Sequence, residues 1–159
     1  MSKSVPKSPK IDANGSKGEQ RIRKLLSDLK VIFYEQFTFS GCKDKRSLPF
    51  DFFGLHHSIP FTIEYDGRQH FEHCAYYHGS NPKHLETQQQ HDIIKNQFTK
   101  DNGISLLRIS YKEDNHIEKE VTTFLSQLEK KKIQRVEKFT NSKLYSSPYG
   151  KSSWSCIIV

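Results

Sequence analysis

Cysteine is scarce in this chain. Three cysteines, Cys42, Cys74 and Cys156, stand among 159 residues, an odd count with no C-x-x-C pair. A disulfide framework and a structural zinc site are therefore both unexpected, and the chain reads as one from a reducing, intracellular compartment, cytoplasmic or nuclear. No apolar run approaches the ~18 residues that a spanning helix needs, so no membrane partner is expected. The opening MSKSVPKSPK lacks the apolar core of a signal peptide. The final Cys156-Ile157-Ile158-Val159 has the C-a-a-X form, but Val is not a usual last residue, and we read it as an incidental hydrophobic tail. Acidic residues are also in deficit. Eighteen Asp and Glu face 25 Lys and Arg, a net charge of +7, with a mean hydropathy of −0.75. A basic surplus suits a polyanionic partner, and nucleic acid is the commonest.

Residues 1–15 are rich in Ser, Lys and Pro without periodicity and read as a disordered basic arm. A helix is predicted over 17–30, with Ser16 as cap, Glu19 completing a capping box, and Ile22, Leu25, Leu26 and Leu29 as its apolar stripe. Three strands follow, at 31–39, 48–55 and 61–67. A loop rich in aromatic residues and His leads to a helix over 84–100, stopped by Asn102-Gly103. A buried strand at 104–111 and a helix capped near Asn115 complete the domain at about residue 130. The charged KKKIQRVEK extends that helix, and the rest of 131–159 reads as a flexible tail. Three consecutive strands between helices predict an α/β (α+β) fold, a mixed sheet flanked by helices.

The carboxylates follow from hairpin arithmetic. A two-residue turn at His57-Ser58 pairs Asp51 with Glu64, Phe52 with Ile63 and Phe50 with Tyr65. Alternation then puts Phe50, Phe52, Ile63 and Tyr65 on the core face and Asp51, Glu64 and Asp66 on the other. Opposed residues have Cβ atoms about 4.5–5.5 Å apart, and like charges there destabilise. Either one acid holds a proton, or a cation sits between them. Oxygen-only ligands select a hard ion such as Mg²⁺. On the next helix Gln88, Asp92, Lys95 and Thr99 form one stripe, whose blander reading is an Asp92–Lys95 surface pair. Glu19 is either the capping glutamate alone or a further carboxylate for the cluster.

Five motifs occur in order: GE-x-x-I at 18–22, LPFDFF at 48–53, IEYDGRQHF at 63–71, Q-x-x-x-D-x-x-K-N at 88–96 and GISLLRISY at 103–111. In these the chain resembles the restriction-endonuclease-like, or PD-(D/E)XK, nuclease superfamily. It is most similar to the branch of very-short-patch-repair and EDxHD homing endonucleases, small nucleases frequent in phages and giant DNA viruses. The resemblance spans about residues 16–112. It implies an αβββαβ core and a nuclease domain over 16–130 that cleaves DNA phosphodiesters with Mg²⁺ or Mn²⁺. Asp51 then matches the metal-binding strand aspartate, and Glu64 the D/E of (D/E)-x-K. Asp66 stands where the family lysine is expected, binding the ion directly or through water. The lysine's task falls to His70, Gln69 or Lys95, or lapses. His70 matches a family histidine, a general base or a donor to the leaving oxygen, while Asp92 matches the helix acid of the homing branch. Glu19 matches a glutamate that can complete the metal shell. Lys95 is expected to neutralise phosphate charge and Gln69 to position water.

Lys43, Lys45 and Arg46 in the turn before the metal strand, with Arg68 and Lys83, are expected on DNA phosphates. Tyr76 and Tyr77 either stack on unpaired bases or pack their loop down. Two other classes stay open: a catalytically inactive DNA-binding module of the same fold, and a structure-specific or RNA-processing nuclease. A monomer or a homodimer fits equally.

Overall fold

The computed structural model describes residues 15–72, 83–130 and 136–140. The basic arm, the loop histidines and tyrosines His73, Tyr76, Tyr77 and His78, and the tail with Cys156 lie outside the described residues.

Helix α1 (Lys17–Asp28) starts with the expected capping box. Glu19 N donates to Ser16 Oγ at 3.2 Å, and Ser16 N donates to Glu19 Oε2 at 2.5 Å. Its second residue is Gly18 for a steric reason. A Cβ there would lie 2.3 Å from the Tyr65 ring, so only glycine lets the helix approach the sheet this closely.

Strands β1 (Ile32–Lys43), β2 (Ser47–His56) and β3 (Ile59–Asp66) run antiparallel in sequence order. The chain then passes through helix α2 (Lys83–Asp101) into β4 (Ser105–Ser110), which lies parallel to β3. Gly103, at φ 65°, ends the connection in the left-handed region where glycine costs nothing. A 3₁₀ turn (Tyr111–His116) leads into α3 (Ile117–Lys130). Strand β5 (Glu137–Phe139) adds in parallel to β4. The result is an α+β fold with a mixed five-stranded sheet in the order β1-β2-β3-β4-β5. Among the described residues no helix is long and apolar enough to cross a membrane.

The larger core lies on one face of the sheet. Ile22 and Leu26 of α1 and Val121, Phe124 and Leu128 of α3 meet Phe52, Phe61, Ile63, Leu107 and Ile109. Under α2 a smaller cluster gathers Cys42, Leu48 and Phe50, with Phe39, Ile94 and Phe98 against it. Burial pushes the Cys42 thiol up to about 11, so it is a neutral packing group.

The β2–β3 register is the expected one: Phe52 pairs Ile63, and His56 pairs Ile59. His57 (φ 49°) and Ser58 (φ 66°) form the two-residue turn. Positive φ at both positions matches the twist of a hairpin.

Two expectations fail. Phe50 and Phe52 do not share a face: Phe52 joins the α1/α3 core, and Phe50 the cluster under α2. Alternation breaks between them, at Asp51 and at the facing Gln36, which has φ 49° and no Cα partner in the ladder. Nor does KKKIQRVEK read as helix to its end: residues 131–135 lie outside the described residues, and Glu137–Phe139 is a strand. Side chains secure that strand: Val136 N donates to Ser105 Oγ at 2.9 Å, and Ser110 N donates to Thr140 Oγ at 3.0 Å.

Candidate functional site

The β2–β3 ladder stops at Phe52 and Ile63. Beyond it the two acids take over the backbone donors. Asp51 N donates to Glu64 Oε1 at 3.1 Å, and Tyr65 N donates to Asp51 Oδ2 at 2.8 Å. Each carboxylate thereby satisfies an N–H that strand pairing leaves open. The broken alternation at Asp51 makes this possible, because it turns the residue out of the regular ladder.

The expected cation between the acids is partly supplied by the chain. Lys95 Nζ donates to Glu64 Oε2 at 2.5 Å. Burial opposes its charge, but Glu64, Asp51 and Asp92 outweigh burial and raise its pKa, so Lys95 stays an ammonium. One ammonium does not balance two carboxylates. Burial, reinforced by the charge of Glu64, pushes Asp51 up to about 8. Burial and Glu64 thus favour the protonated form of Asp51 in the metal-free chain. Its Oδ1 accepts only a long 3.4 Å contact from Gln36 Nε2.

Two residues further along β3 the arrangement differs. Arg108 of β4, wholly buried, grips Asp66 with Nε on Oδ2 and Nη2 on Oδ1, both at 2.7 Å. Its Nη2 also donates to Asp92 Oδ1, and its Nη1 to Asn96 Oδ1, each at 2.8 Å. His70 Nδ1 lies 2.8 Å from Asp92 Oδ2 and 3.4 Å from Asp66 Oδ1. Burial favours a neutral His70 ring, but Asp92 and Asp66 prevail and hold its pKa up at about 9. Burial likewise disfavours an ionised Asp92, yet Arg108 and His70 keep it well below the ordinary carboxylate range.

Asp66, expected on the metal beside Asp51 and Glu64, is instead gripped by an arginine. Both its oxygens are held by Arg108. Asp66, His70 and Asp92 do present ligand atoms within 4.8 Å of one another, but the guanidinium already supplies their cation. The Asp92–Lys95 surface pair fails as well. Both residues are buried, and each reaches across to the sheet.

The first cluster opens on a cleft of about 730 Å³, which the second reaches only through His70. Asp51, Glu64 and Lys95 line it, with Gln69, His70 and Arg68 on the far side of β3's end. Glu19 also reaches the wall, although its Oε2 serves the capping box. Gly67 has φ −66° and makes no left-handed turn. A Cβ there would lie 2.3 Å from Gln69 Oε1, so the glycine makes room for the folded-back amide. Gln88 Nε2 lies 3.3 Å from His70 Nδ1. Lys43, Lys45 and Arg46 are exposed around the β1–β2 hairpin tip, and Lys83 is exposed at the start of α2. None of these four lines the cleft.

Sequence reasoning missed Arg108 and Gln36. Arg108 had a signal: a lone arginine inside the apolar run ISLLRIS is rarely buried unless paired. Gln36 carried none.

The oxygen most open to a hard divalent cation is Asp51 Oδ1, at the cleft wall with only a long contact from Gln36. Glu64 is buried, with Oε1 on Asp51 N and Oε2 on Lys95, so it joins such an ion only by giving up part of its bond to Lys95.

No solved structure matches the chain. A relative from Frog virus 3 (isolate Goorha), "Uncharacterized protein 094L", is 28% identical over 99 residues, 60% of this chain. The chain covers 63% of that relative, under two thirds of its length. A family described as "Family of unknown function (DUF5889)" matches residues 46–145, a span that holds every residue of both clusters, and the chain belongs to it.

Proposed function

We propose that this chain is a metal-dependent DNA endonuclease of the restriction-endonuclease-like type, nearest to the very-short-patch-repair and EDxHD homing branch. One observation carries the reading: Asp51 and Glu64 meet where β2 and β3 part, facing a cleft beside the ammonium of Lys95. The order of helix, three antiparallel strands, helix and parallel strand supports it.

Asp51 and Glu64 would hold Mg²⁺ or Mn²⁺. When bound, the ion supplies Lewis-acid activation of water and neutralises charge on the scissile phosphate. The chain's own groups do the rest. Lys95 remains protonated and acts as a fixed positive charge for the phosphate, the task of the family's strand lysine, rather than as a base. His70, held as an imidazolium by Asp92 and Asp66, is suited to protonate the leaving oxygen. Its Nδ1 is committed to those acids, which leaves Nε2 for that transfer. Gln69 orients water from the cleft wall. Arg68 meets phosphate within the cleft, and Lys43, Lys45 and Arg46 meet it along the flanking duplex.

The test is cleavage of plasmid DNA by the full chain with Mg²⁺ or Mn²⁺. Nicking or linearisation is expected, lost in EDTA and lost in Asp51→Ala. Activity that survives either treatment overturns the metal assignment. Inactivity on plasmid, mismatched and branched DNA with both ions overturns the nuclease reading.

A further inference from the structure

The β2–β3 hairpin ends in two adjacent histidines, and α3 brings Glu129 to meet them. His56 Nε2 lies 3.0 Å, and His57 Nε2 3.2 Å, from the same oxygen, Glu129 Oε1. The two ring centroids are 4.5 Å apart with the planes at 75°. None of the three residues lines the cleft.

Several features exceed what an ion pair requires. A carboxylate has two oxygens and about four lone-pair sites, yet both rings converge on one oxygen through the same nitrogen. His57 occupies a left-handed turn position, which histidine tolerates, and from there its ring reaches Glu129 beside His56. Glu129 sits in the last turn of α3, where the helix dipole disfavours negative charge and favours a cation. One ligand atom from each of the three residues lies within 4.8 Å of the other two, near enough for one ion to draw them together.

We propose that His56, His57 and Glu129 form a second metal site, for a divalent transition metal of the Zn²⁺ class, that clamps the hairpin tip to α3. Two imidazole nitrogens and one carboxylate oxygen suit Zn²⁺ and disfavour Mg²⁺. The side chains of His57 and Glu129 are 60% and 51% exposed, which leaves a fourth position open to water or to an incoming ligand. The scarcity of cysteine pairs argued against a zinc site, but this ligand set uses no thiolate.

The test uses the full chain, stripped of metal with EDTA and titrated with Zn²⁺ by calorimetry, with thermal unfolding in parallel. His57→Asn keeps a residue that tolerates φ > 0, and Glu129→Gln keeps the shape of the glutamate. Equal Tm in EDTA shows that both variants fold. Wild type is expected to bind one Zn²⁺ equivalent that both variants lose or bind roughly tenfold or more weakly, and only wild type gains Tm through that equivalent. Asp51→Asn is expected to keep the equivalent, which separates this site from the cleft. Wild-type zinc stoichiometry, affinity and Tm gain in both variants would overturn the assignment, as would a wild type that binds no zinc.

Discussion

Glu64 and Asp66 sit two residues apart on the same face of one strand, yet they belong to opposite kinds of ionic cluster. Around Asp66 the charges close. Two carboxylates, Asp66 and Asp92, meet two cations, Arg108 and His70, and Arg108 donates four short hydrogen bonds. Around Glu64 they do not. Two carboxylates share one ammonium, and Asp51 keeps a proton to relieve the imbalance. Burial fails to separate the two, since Glu64 is as buried as Asp66. What separates them is the supply of cations: the chain's own match the carboxylates at Asp66 and fall one short at Asp51 and Glu64.

The sharpest way to break the comparison is to remove each cluster's cation. Arg108→Met strands two wholly buried carboxylates and is expected to cost about 3–5 kcal/mol of stability. Lys95→Met leaves Asp51 and Glu64 their backbone donors and is expected to cost less, about 1–3 kcal/mol. Urea unfolding of both variants checks the order, and equal losses would erase the distinction.

Removing an acid should invert the ranking. Asp51→Asn or Glu64→Gln is expected to lower DNA cleavage by roughly 10²–10³-fold, with the Tm of Asp51→Asn unchanged or higher at pH 7 because an amide needs no proton taken up on folding. Asp66→Asn is expected to lower Tm.

The mildest perturbation is a change of pH alone. His70 has its ordinary value of 6.5 raised to about 9. Its contribution is full below pH 6.5 and is lost as pH rises through about 9. Asp51, raised from 3.8 to about 8, prefers its neutral form when folded, so the metal-free protein also loses stability as pH climbs from 3.8 through about 8. His70→Gln should flatten the upper window and Asp51→Asn the lower one in Tm-against-pH curves. Mg²⁺ at pH 7 should release a proton from wild type only, not from Asp51→Asn.

The hairpin register and the Asp51–Glu64 meeting were legible because a two-residue turn and strict alternation leave little freedom. The break at Asp51 was not, because no glycine or proline announces that Gln36 takes a positive φ. The fate of Asp66 was hidden by distance in sequence. Its partner Arg108 is 42 residues away and arrives only through the parallel crossover. The stripe on α2 was read correctly as one face and was half-misread in environment. Polar spacing on a helix looks the same whether it meets water or a buried ion network. Strand β5 was illegible, since three residues beside a lysine run carry almost no periodic signal.

Those same separations set the order in which the centre is assembled. Asp51 and Glu64 are 13 residues apart and are joined by a tight turn, whereas Lys95 lies 31 residues from Glu64. Short loops close faster than long ones. The acid pair therefore forms early and its neutralising groups arrive late, so the emerging chain passes through a stage that carries the repulsion without its compensation. Amide exchange pulsed during refolding would see this as protection of the hairpin before α2, and simultaneous protection would refute it.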